Sequence, residues 1–252
     1  MKMKFALMAI ILVCSLSLSA QDQYIFPYGG GGADSFASFM EEAIKITGKD
    51  KPRVCFLPTA SGDSDTGIIR WYERMRDVSA VPFVQKVWIN SYRQKVSFEE
   101  VLLSMDIIFV GGGNTLNMMA IWQAQGIDVV LKKALEKGIV LMGASAGSLC
   151  WFDNGTTDSR PIELSVVEGL GFLPFSHSPH YDSEAQRRPL YESNIAKGIF
   201  KAGYAMDNNA GIIFKNGEPF RMLTTRPEAN NYFVSIKDGQ VVEEKLTSEL
   251  LK

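Results

Sequence analysis

The sequence predicts an α/β fold in which a mainly parallel sheet is sandwiched by helices and is followed by C-terminal antiparallel strands. As far as Gly143, short apolar segments that end in glycine alternate with helical patterns, which is typical of βαβ units. From about Tyr204 onward, strand patterns follow one another directly, with turn sequences at Asn216-Gly217 and Asp238-Gly239. We expect these late strands to extend one edge of the sheet.

Each element of this prediction comes from hydrophobic periodicity and its boundary residues. The early strands are predicted at Tyr24–Tyr28, Val54–Leu57, Phe83–Ile89, Ile107–Val110 and Ile139–Met142. Helices are predicted over Phe36–Ile44, capped by Asp34 or Ser35, over Ile68–Val78, over Glu99–Leu103, capped by Ser97, and over Leu116–Gln123 and Val129–Lys137. The late strands are predicted at Gly211–Lys215, Pro219–Leu223, Tyr232–Ile236 and Val241–Glu244. Ligands of open α/β sheets bind beyond the carboxyl ends of the strands, so we expect the site there.

Residues 1–20 are predicted to be a secretory signal peptide, and residues 21–252 a single α/β domain without repeats or linkers. Two lysines precede an apolar run that closes with the small residues Ser17-Leu18-Ser19-Ala20. A retained membrane anchor is the alternative. The remaining chain has no apolar run near the roughly 18 residues that a membrane span needs. We expect an exported protein, periplasmic or extracellular, that makes no membrane contact after cleavage.

Composition argues against several classes of partner. The net charge of −2 and the lack of a basic stripe give no indication of nucleic-acid binding. Of the three cysteines, Cys14 lies in the predicted signal peptide. Cys55 and Cys150 lie in apolar surroundings, and two cysteines do not make a disulfide scaffold. We interpret both as buried thiols.

The strongest local pattern is Gly143-Ala144-Ser145-Ala146-Gly147, which follows an apolar strand and precedes a helical pattern. Gly-x-Ser-x-Gly in this context is typical of a nucleophile elbow, a strained turn that exposes a serine hydroxyl at the sheet edge. A plain glycine-rich turn is the alternative. A catalytic serine needs a base, and the chain has two histidines, His177 and His180. We favour His180 because Pro179 restricts the residue before it, and we keep His177 as the alternative.

A second glycine turn, Gly111-Gly112-Gly113, follows the strand Ile107–Val110. Its free backbone N–H groups suit an oxyanion hole, with Gly112 or Gly113 acting together with Ala146. A phosphate-binding turn or a simple tight turn is the alternative, although no nucleotide motif accompanies it. The earlier run Gly29–Gly32 is interpreted as a turn only.

Together these patterns resemble peptidase family S51, which includes aspartyl dipeptidase (peptidase E) and cyanophycinase. The resemblance rests on Val110–Thr115, Gly143–Gly147, Thr156–Ile162 and Ser178–Tyr181, in family order. It implies a flavodoxin-like sheet related to class I glutamine amidotransferases, with Ser145 as nucleophile and His180 as its base. It also implies a small peptide substrate, no metal and no organic cofactor. A homodimer is left open.

The third member of the triad is less clear in the resemblance. Asp158 lies one position from the acid of the peptidase E pattern, and we take it as the first candidate. Asp207 is the alternative, since a carboxylate is expected to orient the imidazole. In the cyanophycinase branch a glutamate lies near this point, and Asn208 occupies its position.

Four residues are candidates for substrate binding: Asn114, Arg160, Arg187 and Arg188. The arginines could pair with a substrate carboxylate, or Arg187-Arg188 could be a solvated helix start. We expect an exported serine exopeptidase, a dipeptidase that hydrolyses small peptides with an acidic (Asp) residue through a Ser-His-Asp triad. The alternatives are another serine hydrolase (esterase or amidase), a cyanophycinase-like isoaspartyl peptidase, or a non-catalytic binding module.

Overall fold

The structure is a computed structural model that describes residues 21–88 and 95–251; the predicted signal peptide lies outside them. The helices are α1 (Ala33–Thr47), α2 (Asp65–Met75), α3 (Phe98–Leu102), α4 (Thr115–Gln125), α5 (Ile127–Glu136), α6 (Ala146–Leu149) and α7 (Arg187–Ala196). The strands are β1 (Tyr24–Tyr28), β2 (Arg53–Leu57), β3 (Val81–Val84), β4 (Ile107–Val110), β5 (Val140–Ala144), β6 (Phe152–Thr157), β7 (Ser165–Glu168), β8 (Leu173–Ser178), β9 (Gly203–Met206), β10 (Ala210–Lys215), β11 (Glu218–Thr224), β12 (Asn231–Lys237), β13 (Gln240–Leu246) and β14 (Glu249–Leu250).

The main sheet has eight strands in the order β14-β11-β10-β1-β5-β4-β2-β3. The five strands β1, β5, β4, β2 and β3 are parallel, as predicted, and β10 pairs antiparallel with β1. The register places Tyr28 opposite Ala144 and Val110 opposite Gly143. The segments that follow β1, β4 and β5 therefore leave the sheet side by side at one edge.

Helices cover both faces of this sheet, so it is buried on two sides. Phe36 and Met40 of α1 and Trp71 of α2 pack with Phe109 on one face. Trp122 of α4 and Leu131 of α5 pack on the other. Removing each such side chain from water contributes roughly 1.5–3 kcal/mol. The prediction of a mainly parallel sheet sandwiched by helices is confirmed.

The prediction that all the late strands extend this sheet is wrong. Strands β10, β11 and β14 do extend it, whereas β12 and β13 belong to a second sheet in the order β13-β12-β9-β8-β6-β7. Strands β6, β7, β8 and β9 were not predicted, because sequences such as FDNGTT of β6 and LPFSHS of β8 carry polar residues where the early strands are apolar runs. The two predicted turns are correct, since Asn216, Gly217, Asp238 and Gly239 all have positive φ.

Several boundaries also differ from the predictions. Neither Asp34 nor Ser35 caps α1; its N-cap is Gly32, which makes no side-chain cap. Ser97 does cap α3, through a capping box with Glu100. The strand predicted at Phe83–Ile89 ends at Val84 within the described residues. The backbone N–H groups of Val87 and Trp88 are instead taken by the Asp63 carboxylate, at 2.7 and 2.6 Å.

The two cysteines are buried and free, as predicted. Burial raises the pKa of the Cys55 thiol to about 12 and raises that of Cys150 as well. Among the helices in the described part of the chain, none is long and apolar enough to cross a bilayer.

Candidate active site

Ser145 lies at the turn between β5 and α6, with backbone angles φ 55° and ψ −118°. This is a strained conformation for a residue with a side chain. The turn is tight enough that a Cβ atom on Gly143 would lie 2.1 Å from the carbonyl oxygen of Gly147. The segment predicted from Gly-x-Ser-x-Gly is therefore a tight turn between a strand and a helix. The Ser145 side chain is half-buried at the sheet edge.

His180 contacts Ser145 directly. Its Nε2 lies 2.8 Å from Ser145 Oγ, and its Nδ1 lies 2.7 Å from Asn208 Oδ1. Because an amide oxygen can only accept, Nδ1 carries the proton and donates it to Asn208. Nε2 is then left with a lone pair that accepts the Ser145 hydroxyl proton. The hydrogen bonds connect a hydroxyl, an imidazole and a third side chain in the order expected for a nucleophile, its base and an orienting group.

His177 has a different environment. Its ring is buried against Phe152, with 4.4 Å between the ring centroids. Its Nε2 lies 3.0 Å from Ser148 Oγ and its Nδ1 2.8 Å from the Tyr204 carbonyl oxygen. Burial lowers the pKa of His177 to about 3, so this imidazole is neutral at ordinary pH. The alternative base is therefore a core residue that does not contact Ser145.

The structure pairs neither predicted aspartate with His180, whose two ring nitrogens are taken by Ser145 and Asn208. Asp158 is 61% exposed, and its Oδ1 lies 3.6 Å from Arg187 Nη2. Asp207 is buried, and its Oδ2 accepts the backbone N–H of Asn230 at 2.9 Å.

The backbone explains this outcome. The chain reverses after β9, where Asn209 has φ 66° and the N–H of Ala210 donates to the carbonyl oxygen of Asp207. This turn points the side chain of Asp207 towards Asn230 and that of Asn208 towards the imidazole. The N–H of Asn208 donates to Asp182 Oδ1 at 2.8 Å, which fixes the turn from outside. The side chain that contacts the second ring nitrogen of His180 is thus Asn208, where the sequence had favoured a carboxylate.

The glycine turn after β4 lies against the serine. A Cβ atom on Gly112 would be 3.1 Å from Ser145 Cβ and 3.5 Å from its Oγ, so bare backbone faces the hydroxyl. Within residues 21–88 and 95–251, the N–H groups of Gly112 and Gly113 meet no hydrogen-bond acceptor. Ala146 is the first residue of α6, so its N–H makes no hydrogen bond within that helix. These groups can serve as oxyanion donors.

The glycine run Gly29–Gly32, which the sequence predicts to be a turn only, lies against His180 and Asn208. A Cβ atom on Gly30 would lie 2.5 Å from His180 Cε1 and 2.4 Å from Asn208 Oδ1. The backbone after β1 therefore forms a wall of the imidazole pocket. The signal was present in the sequence, since Gly29–Gly32 ends a strand at the same sheet edge as Ser145.

The predicted substrate-binding residues are all held by other protein groups. Asn114 caps α4 by accepting the N–H of Asn117, and its amide donates to the Ser159 carbonyl at 2.9 Å. Arg160 donates to Ser165 Oγ at 2.7 Å.

The other two arginines are held more firmly. Arg187 is buried and donates to Glu184 at 2.7 Å and to the Thr156 carbonyl at 2.8 Å. Arg188 donates to Glu243 at 2.6 Å and stacks on Tyr181.

A cavity of about 330 Å³ opens beside Ser145 and His180. Its wall combines aromatic rings, glycine backbone and two arginines of α2, and it includes Tyr28, Gly30, Phe36, Phe56, Gly67, Arg70, Trp71, Arg74, Phe109 and Gly112. Across the described ranges, no group of three His, Cys, Asp or Glu side chains is placed to hold a metal ion.

Comparison with known proteins identifies the family. The sequence pattern of peptidase family S51 matches residues 28–222, which is most of the chain. The chain belongs to peptidase family S51. It is therefore a serine-type peptidase, a hydrolase.

Two relatives show how this S51 peptidase stands among known sequences. It is 37% identical over 222 residues to the uncharacterized peptidase YgaJ of Bacillus subtilis (strain 168), covering 87% of this chain and 95% of that protein. It is 31% identical to a probable alpha-aspartyl dipeptidase of Drosophila melanogaster, over 54% of this chain and 55% of that protein. The chain thus spans nearly the whole of the first relative and about half of the second.

Solved structures show the same fold at low sequence identity. A peptidase from an acI-B1 Actinobacterium superimposes with a TM-score of 0.69 at 15% identity, covering 91% of this chain and 96% of that one. A putative peptidase E from Listeria monocytogenes EGD-e gives a TM-score of 0.57 at 16% identity, covering 90% of this chain and 100% of that one. The S51 peptidase has the architecture of these two proteins.

Proposed function

We propose that this S51 peptidase is a dipeptidase that cleaves small peptides containing an acidic residue, with Ser145 as nucleophile, His180 as base and Asn208 as the orienting group. The observation that carries the proposal is the 2.8 Å contact between Ser145 Oγ and His180 Nε2. It lies within the range in which an imidazole takes the proton of an attacking hydroxyl. The name of the Drosophila relative, a probable alpha-aspartyl dipeptidase, supports the substrate class.

The proposed reaction is acyl transfer to serine. As Ser145 Oγ attacks the scissile carbonyl carbon, its proton moves to His180 Nε2 and the carbonyl oxygen becomes an oxyanion. The N–H groups of Gly112 or Gly113 and Ala146 receive this oxyanion, and a well-placed donor contributes on the order of 3 kcal/mol. The imidazolium then protonates the leaving amine, and the C–N bond breaks. Water, deprotonated by His180, hydrolyses the acyl-enzyme and returns the serine.

Asn208 holds the imidazole differently from a carboxylate. It accepts the Nδ1 proton and so fixes the tautomer and the ring plane, as the asparagine of Cys-His-Asn peptidases does. It brings no negative charge to stabilise the imidazolium. The buried carboxylate of Asp207 is adjacent in sequence but is directed to Asn230.

The test combines active-site labelling with a substrate panel. A fluorophosphonate probe is expected to label the full chain, and Ser145→Ala is expected to abolish both labelling and hydrolysis of Asp-X dipeptides. Ser104→Ala is the matched control, because Ser104 is exposed and precedes β4 at the opposite edge of the sheet. Ester hydrolysis without dipeptide hydrolysis would favour the esterase alternative. An activity that survives Ser145→Ala would overturn the proposed nucleophile.

We also propose that residues 1–20 direct export of the chain. The support is the basic start, the apolar run and the small residues before Gln21. N-terminal sequencing of the protein recovered from the extracytoplasmic fraction should begin at Gln21. Recovery of the chain with Met1 intact in the cytoplasm would contradict the proposal.

A further inference from the structure

We infer that Arg70 and Arg74 bind a carboxylate of the substrate in the cavity beside Ser145. The inference rests on the proposed peptidase function and adds to it the residues that select the substrate. Both arginines line the same cavity of about 330 Å³ as Ser145 and His180. The arginines that the sequence had suggested, Arg160, Arg187 and Arg188, do not line it.

The helix geometry sets these side chains in a row. Gly67, Arg70, Trp71 and Arg74 all line the cavity, and their spacing is that of one face of an α-helix. Arg70 and Arg74 are one helical turn apart, which is about 6 Å along the axis. Gly67 contributes no side chain at the beginning of the row, where a Cβ atom would lie 3.7 Å from Ser61 Oγ. The two guanidinium groups therefore flank one continuous space.

Four acidic side chains line a neighbouring cavity together with the two arginines: Asp34, Glu41, Glu73 and Asp77. In the described part of the chain, neither Arg70 nor Arg74 forms an ion pair with a carboxylate. Like charges four residues apart on a helix repel each other, which destabilises the helix slightly. An anion between them would remove this repulsion. Guanidinium groups prefer carboxylate among the anions that a peptide can offer, because the two planar groups match.

The floor below the arginines is formed by aromatic rings and includes the buried indole N–H of Trp71. The Trp71 ring stacks on Phe109 with 5.5 Å between centroids and on Phe56 with 5.2 Å. The Arg74 guanidinium lies 5.6 Å from the centroid of Phe36, which restricts its movement. Both arginines are exposed, and the aromatic rings below them offer apolar surface to the rest of the ligand. The cavity suits a carboxylate carried on a short apolar stem.

A dipeptide has two possible sources of that carboxylate: an acidic side chain and the chain terminus. They have the same chemistry, and matched peptides separate them. Asp-Leu and Asn-Leu differ in the side-chain carboxylate alone, whereas Asp-Leu and Asp-Leu amide differ in the terminal one. The source is the carboxylate whose removal weakens binding to the protein with both arginines but not to the arginine variants.

Binding is measured by calorimetry in the Ser145→Ala background, so that no peptide is consumed. Arg70→Gln and Arg74→Gln are each expected to weaken Asp-Leu binding about ten-fold or more, because each removes a charge-assisted contact. The same changes should leave the affinity for the peptide that lacks the relevant carboxylate unchanged. Arg76→Gln is the matched control, since Arg76 follows α2, is exposed and pairs with Asp77 outside the cavity. Equal melting temperatures identify correctly folded variants.

The outcomes separate this inference from the proposed function. If both arginine variants bind Asp-Leu as the control does, the inference is overturned, whether or not Ser145 reacts with the fluorophosphonate. If the chain with its serine neither reacts with the probe nor cleaves peptides, the proposed function fails. The binding experiment still decides whether the two arginines hold a carboxylate, since it does not depend on turnover.

Discussion

Ser145 and His180 form their 2.8 Å hydrogen bond from two left-handed backbone positions, φ 55° and φ 54°. For residues with side chains this conformation costs roughly 1–3 kcal/mol each, and it persists where the surroundings determine it. The N–H of Ser145 donates to the Tyr28 carbonyl, and the Ser145 carbonyl accepts the Ser148 hydroxyl at 2.8 Å. The carbonyl of His180 accepts the N–H of Ser183 at 3.2 Å. The geometry of the pair is thus imposed by the backbone around it.

The wall formed by Gly30 gives the first prediction. In Gly30→Ala the new Cβ would lie 2.5 Å from His180 Cε1, and the φ of 154° adds strain. The imidazole or the turn must move, and a displacement of about 1 Å in a catalytic group can reduce the rate about 100-fold. We expect kcat/KM to fall by at least that factor.

Gly32→Ala is the matched control for this change. Gly32 lies two residues further along the same turn, has a φ of −83°, and a Cβ there meets nothing within 4 Å. It should retain nearly full activity. Equal losses of kcat/KM in the two variants would show that activity depends on the conformation of the turn and not on the contact between Gly30 and His180.

Asn208 gives the second prediction. Asn208→Ala removes the acceptor for Nδ1–H, so the ring loses its fixed tautomer and orientation. We expect kcat to fall on the order of 10-fold to 100-fold with KM little changed, because proton transfer depends on that orientation. Steady-state kinetics on an Asp-X dipeptide measures both parameters.

Asp158→Asn distinguishes this assignment from the Ser-His-Asp triad expected from the sequence. Asp158 is largely exposed and lies opposite Arg187, so the change should leave kcat within about two-fold, as for most surface substitutions. A large loss of kcat in Asp158→Asn, together with full activity in Asn208→Ala, would show that Asp158 is the third member of the triad.

The nucleophile elbow and the glycine turns could be predicted because their chemistry depends on consecutive residues. The segment around Ser145 needs small neighbours within two positions, and such a requirement is visible in one stretch of sequence. The parallel strands were predicted for the same reason, since each is a short apolar run between helical patterns. Because the carboxyl ends of parallel strands meet at one edge of a sheet, the segments after β4 and β5 were expected to lie close together.

Which side chain contacts Nδ1 of His180 depends on the turn at residues 207–209, which connects β9 of the second sheet to β10 of the main sheet. Asp207 and Asn208 differ by one position, and the reversal at Asn209 decides which side chain faces His180. Four strands of the second sheet were missed for a different reason. Strands such as β6 and β8 carry polar residues in place of the continuous apolar runs that identified the early strands. The cavity arginines lie on a helix whose existence was predicted but whose orientation was not.

His177 gives a prediction for stability. Its folded pKa of about 3 lies below the value of 6.5 expected in the unfolded chain, so below pH 6.5 only the unfolded state takes up this proton. Stability is therefore lost as the pH falls, by about 1.4 kcal/mol per pH unit from this group.

Urea denaturation at two pH values tests this. Between pH 7.5 and pH 5, His177→Gln should lose about 2 kcal/mol less stability than the unaltered protein. The comparison is made within each protein, because the variant also loses the ring contact with Phe152 at every pH. Equal losses in the two proteins would mean that the buried imidazole is not held neutral.

The Asp207 carboxyl changes the stability of the fold with pH in the opposite direction from His177. Burial, and secondarily the charge of Asp182, raises the pKa of Asp207 to about 6 from its ordinary 3.8. Between these values the folded state holds a proton that the unfolded state has released, so stability falls as the pH rises through this window. Above pH 6 the ionised carboxylate destabilises the folded state by a constant amount. Asp207→Asn removes that cost while its amide oxygen can still accept the N–H of Asn230.

We therefore expect Asp207→Asn to be more stable than the unaltered protein at pH 8, by about 2 kcal/mol, with the difference largely gone at pH 4. Urea denaturation at the two pH values measures it. Because Asn208, not Asp207, contacts His180, kcat for an Asp-X dipeptide should change by less than about two-fold. A variant that is less stable at pH 8 but matches at pH 4 would show that the Asp207 charge stabilises the turn. A large loss of kcat would show that it also acts on the imidazole.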